Sequence, residues 1–163
     1  MSFPGGMRDK NDIDLQETAL RETWEELKIS REKIDVWTTG NLIGKSDVNV
    51  MPVLAYIGEV MPEELEINPD EVEEAFVVSL QKLCDPKLIS FTSFRRPLVT
   101  LPCYLSGKYR VWGFTGAITH IALECLVPQV YKYKFLSIQS MQKNESGEKE
   151  LVSSDYNATL SKI

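Results

Sequence analysis

Three carboxylates on one short stretch constrain this chain most. Glu22, Glu25 and Glu26 follow Arg21 in "TALRETWEELKI", which runs from Thr18 to Ile29. At about 100° per residue, with Glu22 at zero, Glu26 lies near 40° and Glu25 near 300°, an arc of about 100°. Leu27, Leu20 and Trp24 fall opposite, at about 140°, 160° and 200°. The stretch from about Asp14 to Leu27 therefore reads as an amphipathic helix with one face for a core and one face of carboxylates. Arg21, near 260°, flanks Glu25, where it can pair with a carboxylate and orient it. Like charges one turn apart repel, so the acidic face calls for a counter-charge. The preceding Phe3-Pro4-Gly5-Gly6 breaks regular structure, and its glycines let backbone approach a ligand closely. Hard oxygen donors clustered in this way suit Mg²⁺ or Mn²⁺. A plain solvated acidic face is the competing reading.

The net charge of −6 and the pI of about 4.9 argue against a nucleic-acid partner, which would call for a basic patch or stripe. An anionic substrate then needs a metal or local Arg/Lys to neutralise it. Cys84, Cys103 and Cys125 are scattered and odd in number, so a disulfide framework is not expected. No apolar run reaches membrane-spanning length, and "MSFPGG" has neither the basic nor the apolar region of a signal peptide.

The 163 residues suffice for one domain with a sizeable core. After the helix, the pattern predicts a strand near Val36–Thr39 and a loop through Gly40, Asn41 and Gly44. The clearest strand is Asn49–Val60, with Pro52 near its start or at an edge. An acidic loop and a strand near Glu74–Val78 follow, then a short helix stopped by Pro86. A hairpin is expected from Leu98–Leu105 and Tyr109–Trp112, turning at Ser106-Gly107. A second helix, Thr115–Leu126, is expected to be capped by Thr115 and stopped before Pro128. Residues 136–163 are polar and expected to be disordered. His120 sits among Ile118, Ile121 and Ala122 and reads as a packed residue rather than a base. Cys103 and Cys125 read as small core residues.

The acidic stretch resembles the Nudix box, G-x5-E-x7-R-E-U-x-E-E-x-G-U with U aliphatic. Arg21-Glu22-Thr23-Trp24-Glu25-Glu26-Leu27-Lys28-Ile29 aligns with its second half. Gly6 stands one residue further from Arg21 than the box has it, Thr23 replaces an aliphatic residue, and Lys28 replaces a glycine. The expanded spacing, with Phe3-Pro4-Gly5-Gly6, Asp9, Asp12, Thr18-Ala19-Leu20-Arg21-Glu22 and Glu25-Glu26, resembles the coenzyme A diphosphatase branch of the Nudix hydrolases. "NPDEVEEAFVVSL" (Asn68–Leu80), "TLPCYL" (Thr100–Leu105) and "RVWGFTGAITHIALECLVP" (Arg110–Pro128) extend that likeness, which is nearest to the animal mitochondrial member.

The resemblance implies an α/β class, a Nudix-type α/β/α sandwich with a mixed sheet over residues 1–135. It also implies an upstream segment, with the first strands of the sheet and more of a coenzyme A signature. The chain is accordingly expected to be N-terminally incomplete, its activity alone in doubt. The implied activity is metal-dependent hydrolysis of the diphosphate of coenzyme A or acyl-coenzyme A to 3′,5′-ADP and 4′-phosphopantetheine. Glu22 and Glu26 are the implied principal metal ligands, Glu25 a third ligand or the base toward water, Gly5 and Gly6 the turn facing substrate, and Arg21 the orienting residue. Glu71 or Glu73 is a candidate loop carboxylate, and Arg95-Arg96 a candidate phosphate contact, each against the plainer reading of an exposed loop. The alternatives are a non-catalytic Nudix-like binding module and a hydrolase of another nucleoside diphosphate derivative. The implied compartment is the mitochondrion; Ser161-Lys162-Ile163, near the peroxisomal Ser-Lys-Leu address, and the cytoplasm are alternatives.

Overall fold

The computed structural model describes residues 1–45, 48–95, 98–133, 140–143 and 149–152. The chain divides into two compact units, Met1–Ser79 and Leu80–Ile163.

The first unit is organised by helix α1, Leu15–Leu27. Asp14 is its N-cap: extended in backbone, its Oδ1 accepts the Glu17 N–H at 2.8 Å, satisfying one of the donors a helix start leaves unpaired. The helix ends on Lys28 in the left-handed region, φ 54° and ψ 25°. That conformation costs a non-glycine residue about 1 kcal/mol. Two contacts offset it. Lys28 Nζ donates to Glu25 O at 3.2 Å, and it lies 5.6 Å from the Trp24 ring centre.

The expected apolar face is realised in part. Leu20 is buried and Leu27 half-buried. Trp24 is not core: it stays 48% exposed under the Lys28 ammonium. Ile29, just past the helix, is buried in its place.

The strands of this unit are β1 (Asp35–Thr39), β2 (Ile43–Lys45), β3 (Val48–Val50) and β4 (Val53–Tyr56). β1 pairs antiparallel with β4, with a bulge between Val36 and Thr38. Trp37, at that bulge, stacks on Tyr56 at 5.9 Å. β2 pairs antiparallel with β3, so Gly44 lies in a strand opposite Asn49, not in a loop. The single strand expected over Asn49–Val60 is two pieces divided at Pro52. Proline has no N–H to give a ladder, and Pro52 contributes only its carbonyl, which accepts the Gly40 N–H at 2.8 Å. The strand expected near Glu74–Val78 does not form; the segment is irregular.

In the second unit a short helix α2 (Leu80–Leu83) precedes β5 (Ile89–Arg95), which pairs antiparallel along its length with β6 (Leu98–Tyr104). The expected partner of β6 was Tyr109–Trp112. That segment supplies only one bridge, Tyr104 with Val111, and Pro102, two residues earlier in β6, has no N–H with which to extend it. Helix α3, Gly113–Leu126, packs on β6. Its N-cap is Trp112, with no side-chain cap bond. Thr115 lies inside the first turn, where its carbonyl accepts the Thr119 hydroxyl. Gly116 permits the close approach: a Cβ there would stand 2.5 Å from Pro102 O.

The core of this unit is Tyr104, Val111, Leu123 and Tyr131. The Tyr104 and Tyr131 hydroxyls meet at 2.7 Å, and Tyr131 OH lies 3.0 Å from His120 Nδ1. Burial holds the His120 imidazole down to about 4, so it is neutral at physiological pH and packed, as expected. Cys103 is buried, but Cys125 is exposed and is no core residue. Within the tail, β7 (Ser140–Lys143) pairs with β8 (Lys149–Val152). The terminal Ser161-Lys162-Ile163 lies outside the described residues.

The chain is thus α/β, as expected. Among the described residues its strands form four separate two-stranded antiparallel ladders rather than one mixed sheet. β1 remains largely exposed and β4 is mostly half-buried.

Candidate active site

The turn before α1 and the acidic face of α1 meet around Arg21. Its Nε donates to Asp12 Oδ1 at 3.0 Å, and its Nη1 to Glu25 Oε2 at 2.7 Å. Its Nη2 reaches Glu22 Oε1 at 2.9 Å and Met7 O at 3.1 Å. Nη2 also lies 3.2 Å from Asp12 Oδ2. The guanidinium is held well above its usual range, foremost by its bond to Asp12. The pairing of Arg21 with Glu25, anticipated from the helical wheel, is present, and Arg21 pairs with Glu22 as well.

Asp12 is the anchor that the pattern of helix faces does not reveal. It lies in the loop before the helix and is buried. It accepts the Asp9 N–H at 2.8 Å and the Thr18 hydroxyl at 2.9 Å through Oδ2, as well as Arg21. The Arg21 bond, with the help of these, holds its carboxyl down to about 2. The available signal was Thr18, a small hydroxyl at the start of the helix within reach of a preceding carboxylate.

The glycine turn comes close, as expected. Gly5 N–H donates to Glu26 Oε1 at 3.2 Å. A Cβ at Gly6 would stand 2.7 Å from Glu22 Cδ, so the backbone there lies directly against the Glu22 carboxylate. Glu26 is half-buried, and its carboxyl is pushed up, first by desolvation, with Glu22, Glu71 and Glu25 adding to the effect. Four carboxylates therefore share one region of negative potential.

The donors fit a divalent cation in kind: hard carboxylate oxygens in a surplus of negative charge. Among the described residues, however, no three His, Cys, Asp or Glu side chains are already gathered as a cage. Glu22 and Glu25 each give one oxygen to Arg21, and Glu26 gives one to Gly5. A cation would draw on the remaining oxygens. A cleft of about 300 Å³ is lined by Glu17, Leu20, Arg21 and Trp24 of α1 with Ser30, Arg31 and Glu32. Glu22, Glu25 and Glu26 do not line it, and it is not the candidate site. Arg95 ends β5; its side chain, and the whole of Arg96, lie outside the described residues.

A NUDIX domain matches residues 1–101. The chain belongs to the NUDIX family. It is 40% identical over 136 residues to mitochondrial coenzyme A diphosphatase NUDT8 of Homo sapiens, covering 81% of this chain and 58% of that protein. The mouse protein of the same name is 38% identical over 136 residues, 81% of this chain and 65% of that one. Nudix hydrolase 3 of Caenorhabditis elegans is 34% identical over 154 residues, 82% of this chain and 63% of that one. The chain thus spans about three fifths of the length of these NUDIX relatives. The Arg21 hub lies wholly inside the matched NUDIX segment. Among the described residues no helix is long and apolar enough to cross a membrane.

Proposed function

We propose that this NUDIX chain is a metal-dependent diphosphatase acting on coenzyme A and its acyl derivatives, releasing 3′,5′-ADP and 4′-phosphopantetheine. The observation that carries the reading is the Arg21 hub. It positions Glu22 and Glu25 beside a Glu26 already held by the Gly5 N–H, in a chain similar over most of its length to proteins named coenzyme A diphosphatases.

Glu22 and Glu26, one turn apart, would hold the cation, and Glu25 stands next to them. Mg²⁺ or Mn²⁺, when bound, neutralises diphosphate oxygens and makes water a better nucleophile. The oxygen of water adds to one phosphorus, the P–O bond to the bridging oxygen breaks, and that oxygen leaves with the other phosphate. Glu25, more exposed than Glu22 and paired to Arg21 through one oxygen, takes the proton from water. Arg21 keeps Glu22 and Glu25 from swinging apart under their mutual repulsion. Gly5 and Gly6 keep that side of the site free of side chains, which gives the diphosphate room to approach. Small-molecule coenzyme A derivatives are the substrates, and the mitochondrion is the compartment that the names of the human and mouse NUDT8 proteins support.

Product chromatography with Mg²⁺, comparing coenzyme A, NADH and ADP-ribose, tests the reading. Preferential release of 3′,5′-ADP from coenzyme A is expected. Glu25→Gln should lower turnover by roughly two to four powers of ten. Equal hydrolysis of all three compounds would remove the coenzyme A assignment. Metal binding with no turnover of any would favour a binding module.

A further inference from the structure

A helix on the surface of a domain normally turns an apolar stripe to the core and a polar face to water. Helix α3 departs from that. With Ile118 at zero and about 100° per residue, the buried Gly116, Thr119 and Leu123 lie near 160°, 100° and 140°. This is the face that Gly116 lays against Pro102 of β6. On the opposite side, Phe114, Ile121 and Cys125 lie near 320°, 300° and 340°, in line with Ile118. Phe114, Ile121 and Cys125 are exposed, and Ile118 is half-buried. The outer face of α3 is thus a second apolar stripe.

We propose that this stripe is the interface of a two-fold homodimer, in which α3 packs antiparallel on α3 of a second copy. The spacing from Phe114 through Ile118 and Ile121 to Cys125, four, three and four residues, is that of the seam between two packed helices. It reads the same in both directions. An antiparallel copy therefore sets Ile118 against Ile121 and Phe114 against Cys125, and the two-fold axis repeats each contact. The largest side chain of the stripe meets the smallest, as interdigitating layers require. Ala117 and Ala122 flank the stripe, and their small side chains let the two backbones approach. The charges agree with this arrangement. Two copies of a chain with net charge −6 repel, but the stripe itself carries no charge. The first turn of α3 holds no acidic residue, and its N-cap makes no side-chain bond. An antiparallel copy brings Glu124, near the far end of its own helix, to that positive end of the dipole. A parallel copy would set Glu124 beside Glu124 and Phe114 against Phe114.

The test is sedimentation equilibrium of the 163-residue chain from about 1 to about 300 µM, the range that brackets the affinity of a small helix-pair interface. The parent should pass from monomer to dimer in that range. Ile121→Asp should stay monomeric throughout, because closing the seam would bury a carboxylate without a counter-charge. Its circular dichroism should match the parent, since Ile121 is exposed. Phe114→Cys, oxidised with diamide, tests the direction of packing. A disulfide between position 114 of one copy and Cys125 of the other is expected on peptide mapping. Within one helix those positions stand about 16 Å apart, too far to bridge. A parent that stays monomeric at the highest concentration overturns the proposal, as does an Ile121→Asp variant that dimerises like the parent. Linkage of Cys125 to Cys125 in place of the mixed disulfide overturns the antiparallel arrangement.

Discussion

Asp12 and Arg21 are joined by a guanidinium–carboxylate pair, Nε to Oδ1 at 3.0 Å and Nη2 to Oδ2 at 3.2 Å, that binds the loop before α1 to the acidic face of the helix. The pair gives the chain a definite response to acid. The Asp12 carboxyl is held down to about 2 in the fold, against an ordinary value near 3.8. The folded state therefore binds the proton less readily than the unfolded one. The stabilisation is complete above about pH 4 and is lost as pH falls through 2. Asp12→Asn should flatten the acid limb of the melting temperature against pH in that window and leave the neutral plateau lower. An unchanged acid limb would show that the pair contributes no pH-linked stability.

Glu26 behaves with the opposite sign. Its carboxyl is pushed up by desolvation and by Glu22, Glu71 and Glu25. Its ionised form is therefore disfavoured in the fold, and the associated stability is lost as pH rises through the folded value. Glu26→Gln keeps an oxygen for the Gly5 N–H. The variant should melt higher than the parent at neutral pH without metal, with the gap closing on acidification. In Mg²⁺ the order should reverse, because the parent gains stability by binding and the variant lacks a ligand. Calorimetric scans with and without Mg²⁺ read both effects. Glu22→Gln should lose the metal-induced rise as well.

Two glycines separate stability from chemistry. A Cβ at Gly116 meets backbone, Pro102 O at 2.5 Å and Val111 O at 3.4 Å, which cannot yield without moving α3 or β6. Gly116→Ala should cost about 1–3 kcal/mol in urea unfolding. A Cβ at Gly6 meets only the Glu22 carboxylate, the mobile end of a side chain. Gly6→Ala should leave the unfolding midpoint nearly unchanged while displacing Glu22 from Arg21, lowering turnover and the response to Mg²⁺ together.

Lys28 tests how the left-handed helix end is tolerated. Lys28→Gly removes about 1 kcal/mol of backbone strain but also the bond to Glu25 O and the contact with Trp24, each about 0.5–1 kcal/mol at an exposed site. It should fall within about 1 kcal/mol of the parent. Lys28→Ala keeps the strain and loses both contacts, so it should be the least stable of the three in urea.

The parts of this fold that could be read from sequence are those set by local periodicity. α1 and its acidic arc follow from the spacing of Leu20, Leu27 and the glutamates, and the Arg21 pairing follows from the same wheel. What escaped depends on partners distant in the chain. β5 was missed because "ISFTSFR" has few β-branched residues, and its stability comes from β6. Tyr109–Trp112 reads as a full strand because nothing local says that only Val111 of it reaches Tyr104. Trp24 was assigned to the core by its angle alone, whereas the left-handed turn at Lys28 brings a cation across its ring. The bond from the Asn68 N–H to Glu26 O could not have been foreseen, since a backbone bond leaves no mark on residue type.

The line from Tyr104 through Tyr131 to His120 ends 3.5 Å from Glu124, whose carboxylate is half exposed. A carboxylate only accepts, so the neutral imidazole carries its hydrogen on Nε2, leaving Nδ1 to accept from Tyr131, whose oxygen accepts in turn from Tyr104. The direction of every hydroxyl in that line is thus dictated from the surface. A lysine in place of Glu124 would favour the other tautomer and turn the whole line around, a one-bit setting written at the rim and stored in the core.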